Sequence, residues 1–264
     1  MKSSQNGSVI MYANYHTHTT RCQHAFGEDR EYVEAAIRGG MKVLGFSDHC
    51  PFIFPDNYVS TCRMAPGIFE DYIDSITQLK REYANDIKIY LGLESEYVPE
   101  LLEAQDTFLK EYPIDYMILG EHFVYPEPYG AYMGTPVKDE LILEEYVDLC
   151  IEGMESGRYI YLAHPDLIHF TGSDDAYTKH MTRLCQYMKD NNLPVEINLL
   201  GYYDKRHYPC DRFLRIAGKI GNKSIVGVDA HSPERLEMLD VQEQCRNLAI
   251  KYGMSVTDSI PGLE

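Results

Sequence analysis

Seven histidines, one glutamate and one aspartate stand out because each falls where a β-rich run gives way to a loop. His16 and His18 flank Thr17 at the end of the first such run. Alternate positions of a strand point the same way, so His-x-His presents two imidazoles to one spot. His24 follows in the next loop. His49 closes Ser47-Asp48-His49, Glu94 closes Gly92-Leu93-Glu94, and His122 closes Gly120-Glu121-His122. His164 opens His164-Pro165-Asp166, and Asp229 and His231 end Gly227-Val228-Asp229-Ala230-His231. Imidazole and carboxylate together suit zinc, iron or manganese, and nine such ligands exceed what one ion can use. The expectation is two to three divalent transition-metal ions. A satisfied core or surface histidine is the competing explanation at any single position, and for His24 alone it is the better one. For the whole series it is poor. His169, His180 and His207 lack this placement. His180 is expected on a solvated helix face, and His207 is a minor candidate for touching substrate.

The elements that would hold these residues alternate strictly. Strand-like runs are Met11–His16, Lys42–Ser47, Ile87–Leu93, Tyr116–Gly120, Tyr159–Ala163, Pro194–Leu199 and Ser224–Val228. Helix-like stretches lie between them at Arg30–Gly39, Phe69–Tyr83, Pro99–Lys110, Asp139–Ser156, Asp175–Asp190, Asp211–Ile220 and Glu234–Lys251. In the second of these, Phe69, Tyr72, Ile73, Ile76 and Leu79 recur at three- and four-residue spacing and predict one buried stripe. Such alternation predicts a parallel sheet with right-handed crossovers, and seven units suit a closed barrel better than an open sheet. Catalytic groups of a parallel β/α barrel gather at the carboxyl ends of its strands, which is where the nine residues fall.

Composition limits the partners. With 264 residues, of which 44% are hydrophobic, the chain can bury one sizeable core, and no linker or repeat divides it. A net charge of −17 without a Lys/Arg cluster argues against a nucleic-acid partner. No apolar run is long enough to span a bilayer, and Met1 to Ile10 lacks the apolar core of a secretory signal, so no membrane partner is expected. The seven cysteines are odd in number and scattered, with no CxxC pair. They read as free thiols of a reducing cytoplasm. Cys22 and Cys50, although near candidate ligands, read as small packing residues. The oligomeric state stays open.

The motifs His16-Thr17-His18-Thr19, Ser47-Asp48-His49, Gly92-Leu93-Glu94-Ser95-Glu96-Tyr97, His164-Pro165-Asp166 and Asp229-Ala230-His231-Ser232-Pro233 together resemble the polymerase-and-histidinol-phosphatase (PHP) family. Arg63-Met64, Glu196-Ile197-Asn198 and Arg206 resemble its histidinol-phosphatase branch. The resemblance implies a distorted (β/α)7 TIM-like barrel in one domain over residues 1–264, with a trinuclear site. His16, His18, Glu94 and Asp229 would hold the first metal. Glu94 would bridge to the second, completed by His122 and His164, and His24, His49 and His231 would hold the third. Arg63 and Arg206 would grip a substrate phosphate, since a guanidinium offers paired N–H donors. The catalytic set would be Glu94, Asp229, His231 and Asp48, with Asp48 orienting a ligand or capping its strand end.

Phosphomonoesters hydrolyse extremely slowly unaided, so the chemistry needs charge neutralisation and a nucleophile available at neutral pH. The expected reaction is attack by a metal-bridging hydroxide on the phosphorus of L-histidinol phosphate, giving histidinol and phosphate. The alternatives are another phosphoester (a sugar phosphate, a nucleotide or phosphotyrosine), a nuclease, or an inert metal-binding domain. Glu121 stands where the branch carries a Ser-x-His-like stretch. If it alternates away from His122, it belongs to a salt bridge or hydrogen bond behind the site; if it faces the pocket, it adds negative charge there.

Overall fold

Val43–His49 (β2) is buried at every residue, and Lys88–Ser95 (β3) at all but its first. Continuous burial of this kind is what a parallel strand shows when both its faces are covered. The computed structural model describes residues 11–56, 58–260 and 263. The terminal segment Met1 to Ile10 lies outside the described residues. β2 and β3 pair in parallel, flanked by Ala13–Asn14 (β1) and Tyr116–Leu119 (β4), in the order β1-β2-β3-β4. A second parallel set runs Val195–Asn198 (β5), Lys223–Gly227 (β6) and Ser255–Thr257 (β7).

Leu162 joins the two sets through parallel bridges to Leu119 on one side and Val195 on the other. At the opposite edge Thr17 bridges Ala230, and Asn14 ties the same seam: its Oδ1 accepts from the Val228 N–H at 2.9 Å. The outcome is an α/β fold with a curled parallel sheet. The helices are Asp29–Arg38 (α1), Phe69–Glu82 (α2), Leu102–Leu109 (α3), Glu140–Glu155 (α4), Asp174–Asp190 (α5), Leu199–Tyr203 (α6), Asp211–Ile220 (α7) and Leu239–Lys251 (α8). α2 buries the stripe anticipated for it, and Tyr72 adds a hydroxyl that donates to the Gly92 carbonyl of β3 at 2.8 Å. Each such side chain removed from water contributes about 1.5–3 kcal/mol before the entropy of ordering it.

Four expectations need correction. Tyr159–Ala163 is not a regular strand: its backbone pairs with both neighbours but turns away into a left-handed backbone at His164. β7 and α6, of three and five residues, are too short to carry a periodic signal and were not expected. The stretch Glu234–Lys251 divides into a 3-10 turn at Pro233–Glu237 and then α8, because Met238 leaves the helical region. His180 is buried within α5 rather than solvated, its Nε2 lying 3.1 Å from Glu140 of α4.

Candidate metal centre

Strand register brings the expected ligands to one level. In the β2–β3 ladder His49 stands opposite Glu94. Across the seam, the His18 N–H donates to the Ala230 carbonyl at 2.9 Å and the Ala230 N–H to the His16 carbonyl at 3.2 Å. That exchange sets His16 and His18 beside Asp229 and His231. Glu94 is the hub. Its Oε1 lies 2.8 Å from His164 Nε2, 3.4 Å from His16 Nε2 and 3.6 Å from His122 Nε2. Its Oε2 lies 3.1 Å from His49 Nδ1 and 3.4 Å from His18 Nε2. Asp229 Oδ1 sits 3.2 Å from His18 Nε2 and 3.5 Å from His16 Nε2. Gly120 makes room for this: a side chain there would place its first carbon 2.1 Å from Glu94 Oε1.

Several rings are held from behind. His16 Nδ1 lies 2.8 Å from Glu196, His18 Nδ1 3.3 Å from Asp48, and His122 Nδ1 3.0 Å from Glu96. His24 Nδ1 lies 2.8 Å from the Cys22 carbonyl, and His231 Nδ1 3.0 Å from the Asp229 carbonyl. Partners of this kind fix tautomer and ring direction, as carboxylates and carbonyls do behind metal-bound histidines. On the inner side, by contrast, His16 Nε2, His18 Nε2, Glu94 Oε2 and Asp229 Oδ1 are buried without a hydrogen-bond partner. Buried polar atoms are costly unless satisfied, so four that converge point to a cationic ligand. His164 and Asp229 also adopt positive φ, 26° and 53°, an uncommon backbone that clusters at functional sites.

The donors fall into overlapping sets, each within 4.8 Å: His16, His18 and Glu94; His16, His164 and Asp229; His18, His49 and His231; and Cys22, His24 and His231. Shared members suit more than one ion. Cys22 is fully buried, and its sulfur lies within the same distance of His24 and His231, outside the apolar clusters that take in Cys50, Cys150, Cys185 and Cys245.

The electrostatics are those of charges kept for a purpose. Burial pushes the Glu94 carboxyl up, but His122, His16 and His49 outweigh it and hold it well below the usual range. Burial likewise opposes ionisation of Asp229, and His16, His18 and His231 overcome it. His16 and His18 are raised well above the usual imidazole value despite burial, His16 by Glu196, Asp229 and Glu94 and His18 chiefly by Asp229 and Asp48. His24, at the exposed rim, is lowered to about 4 by burial of its ring and by His231 and His18.

A cavity of about 650 Å3 opens over these residues, with Arg63, Arg206 and Arg235 in its wall. Arg63 departs from expectation. Its guanidinium is buried and pairs with both oxygens of Glu96 at 2.9 and 3.0 Å, while its Nε donates to Glu127 at 2.9 Å. Most of its donors are spent on the protein. Through Glu96, which Arg63 and His122 hold at about 2 against burial, it braces His122. Arg206 is more open, bonded to the Tyr208 hydroxyl at 3.1 Å. Asp48 accepts from the His49 N–H, from Thr19 and from the back of His18.

Glu121 is absent from the cavity wall. It is buried behind the site and accepts the Tyr97 N–H at 3.1 Å, and burial beside Glu96 pushes its carboxyl well up. His207 stacks on His169 at 4.2 Å and bonds the Leu167 carbonyl, outside this cavity. Sequence reasoning missed Glu96, Glu196 and Asn198 as supports. Glu196 is seated against Gly227, where a side chain would meet its carboxylate within 2.4 Å. Asn198 bridges Glu196 to Asp229. Alternation along β3 puts Glu96 on the face of Glu94, and this was the available signal.

The model of the PHP domain family matches residues 14–199. Over 226 residues the chain is 27% identical to a probable histidinol-phosphatase of Deinococcus radiodurans, covering 83% of this chain and 85% of that one. Over 143 residues it is 30% identical to a histidinol-phosphatase of Bacillus subtilis, covering 51% and 52%. Among solved structures, histidinol phosphate phosphatase of Lactococcus lactis, complexed with zinc, L-histidinol and phosphate, superposes with a TM-score of 0.71 at 21% identity, covering 97% of this chain and 99% of that one.

Proposed function

Because this chain belongs to the PHP domain family, we propose that it is a metal-dependent phosphatase that hydrolyses L-histidinol phosphate to L-histidinol and phosphate. The observation that carries this reading is the convergence of orphaned imidazole nitrogens and carboxylate oxygens on Glu94 and Asp229, beneath a cavity with arginine in its wall. The donors fit divalent zinc, iron or manganese. His16, His18, Glu94 and Asp229 would hold one ion, Glu94, His122 and His164 a second, and His24, His49 and His231 a third. Bound ions of this kind lower the pKa of water and neutralise phosphoryl oxygens.

The remaining work falls to the chain itself. Glu196, Asp48 and Glu96 orient His16, His18 and His122. Arg206 has free donors for the phosphate, whereas Arg63 stabilises Glu96 and reaches the substrate only with what its two carboxylates leave. Phe123, Tyr132, Leu167 and Tyr208 add apolar surface to the cavity wall.

The same reading takes the curled sheet as a distorted (β/α)7 barrel in one domain, made of β1 to β4, the segment around Leu162 as its fifth strand, β5 and β6, with β7 an extra pairing on β6. The bridges at Leu162 and at the Thr17–Ala230 seam support it. All seven cysteines are unpaired, which suits a reducing cytoplasm, and among the described residues no helix is long and apolar enough to cross a membrane. The test is kcat/KM for histidinol phosphate beside a sugar phosphate, a nucleotide and a phosphotyrosyl peptide, with metal content measured. A preference for any of the last three would displace histidinol phosphate as the substrate.

A further inference from the structure

Four acidic side chains line the cavity: Glu94, Glu96, Asp204 and Asp229. Three are committed. Glu94 and Asp229 face the imidazoles, and Glu96 is held by Arg63 and His122. Asp204 is different. It follows α6 at the cavity mouth with its side chain 31% exposed. Its Oδ1 accepts from Arg235 at 3.1 Å, while its Oδ2 lies 3.9 Å from Arg206, beyond hydrogen-bond distance. A carboxylate has about four acceptor positions, so Asp204 retains unused ones on Oδ2.

The turn that carries it is fixed. The Asp204 N–H donates to the Leu200 carbonyl and the Arg206 N–H to the Gly201 carbonyl, both at 2.9 Å, with Lys205 left-handed between them at φ 54°. Arg235 is itself seated over the Tyr203 ring, 4.4 Å from its centre. A pre-positioned acid thus stands beside Arg206, in the wall of the cavity that Glu94 and Asp229 also line.

We propose that Asp204 is a specificity-determining residue, which accepts through Oδ2 the ammonium or imidazolium of a phosphomonoester whose leaving group is cationic. This rests on the phosphatase reading above and assigns the end of the substrate that the metals do not touch. One charge-assisted hydrogen bond is worth about 10- to 100-fold in selectivity. A carboxylate that merely positioned Arg206 would affect every phosphate ester alike.

The experiment compares the metal-loaded full chain with Asp204→Asn and Asp204→Glu on histidinol phosphate and on p-nitrophenyl phosphate, whose leaving group carries no positive charge. Asp204→Asn is expected to lower kcat/KM about 10-fold or more for histidinol phosphate, mainly through KM, and to leave p-nitrophenyl phosphate within about 2-fold, with Asp204→Glu recovering part of the loss. Equal losses on both esters, or none on either, overturn the proposal. Calorimetric binding of L-histidinol to the same proteins decides it independently of turnover: unchanged affinity in Asp204→Asn overturns it as well. A wild-type protein inactive on every ester would instead sink the phosphatase reading, while the binding measurement still judges Asp204.

Discussion

Inside the curled sheet, Tyr116 and Glu94 sit on neighbouring strands, both buried, and their polar atoms are treated in opposite ways. The Tyr116 hydroxyl lies 2.7 Å from the Tyr15 carbonyl and 3.1 Å from that of Phe46, and its ring stands edge-on to Tyr15 and Tyr90. Around it Ala13, Val43, Ile118 and Ile225 complete a dry layer. Nearer the strand ends, Glu94 and Asp229 keep oxygens without a donor while imidazoles crowd them. At Tyr116 the lower layer satisfies the hydroxyl it buries and so contributes stability, although the Tyr161 hydroxyl of the same cluster is buried without a partner. The upper layer leaves acceptors open, at a cost of about 1–3 kcal/mol for each neutral group and more for a charged one, and that cost is recovered only when a cation arrives.

Substitutions should split accordingly. Glu94→Gln and His164→Ala are expected to lower kcat by at least about 100- to 1,000-fold and to reduce bound metal, with circular dichroism unchanged. Full activity in either variant would break the distinction between the layers. Tyr116→Ala should do the reverse. It should lower stability by about 3–5 kcal/mol in denaturant titration and leave kcat near wild type below its new melting temperature.

Glu96→Gln probes the support behind His122 and Arg63, and about a 10- to 100-fold loss of metal affinity or activity is expected. pH sharpens the same contrast. His16 and His18 are raised above the usual imidazole value, so an arriving ion competes there with protons. Metal affinity should therefore rise with pH through their titration, with proton release seen by calorimetry in buffers of different ionisation enthalpy.

The smallest effect belongs to Glu121→Gln. Burial holds the Glu121 carboxyl well above its usual range in the fold, whereas the unfolded chain ionises it above about 4.3, so stability is expected to decline as pH climbs from there toward the raised folded value. The glutamine variant should lack that decline and stay active. A variant whose stability follows the wild-type pH curve would show that Glu121 is already ionised in place.

The upper layer was largely legible in the sequence because ligand chemistry restricts residue type and strand ends restrict position: the nine expected side chains all fall at one end of the sheet. Supports were harder to see. Glu196 and Asn198 look like ordinary polar residues of a strand end until the crossover brings them against His16 and Asp229. Arg63 carries no mark in the chain that it will be enclosed by Glu96 and Glu127, which lie 33 and 64 residues away. His180 was misplaced because helical position alone does not reveal that α4 packs over it. Short elements such as β7 and α6 have no period to read. Their pairing is a property of the finished fold.

The seam held by Asn14 has a consequence for synthesis. Its Oδ1 accepts a hydrogen bond from Val228, 214 residues later in the chain. His16 and His18 thus leave the ribosome long before Asp229 and His231, which stand beside them in the fold. Contacts this distant in sequence are slow to form because a long loop must close before they reward it. Until Asp229 and His231 have emerged, the nascent chain would offer a metal ion only part of the proposed site, and full loading would report that this seam has closed.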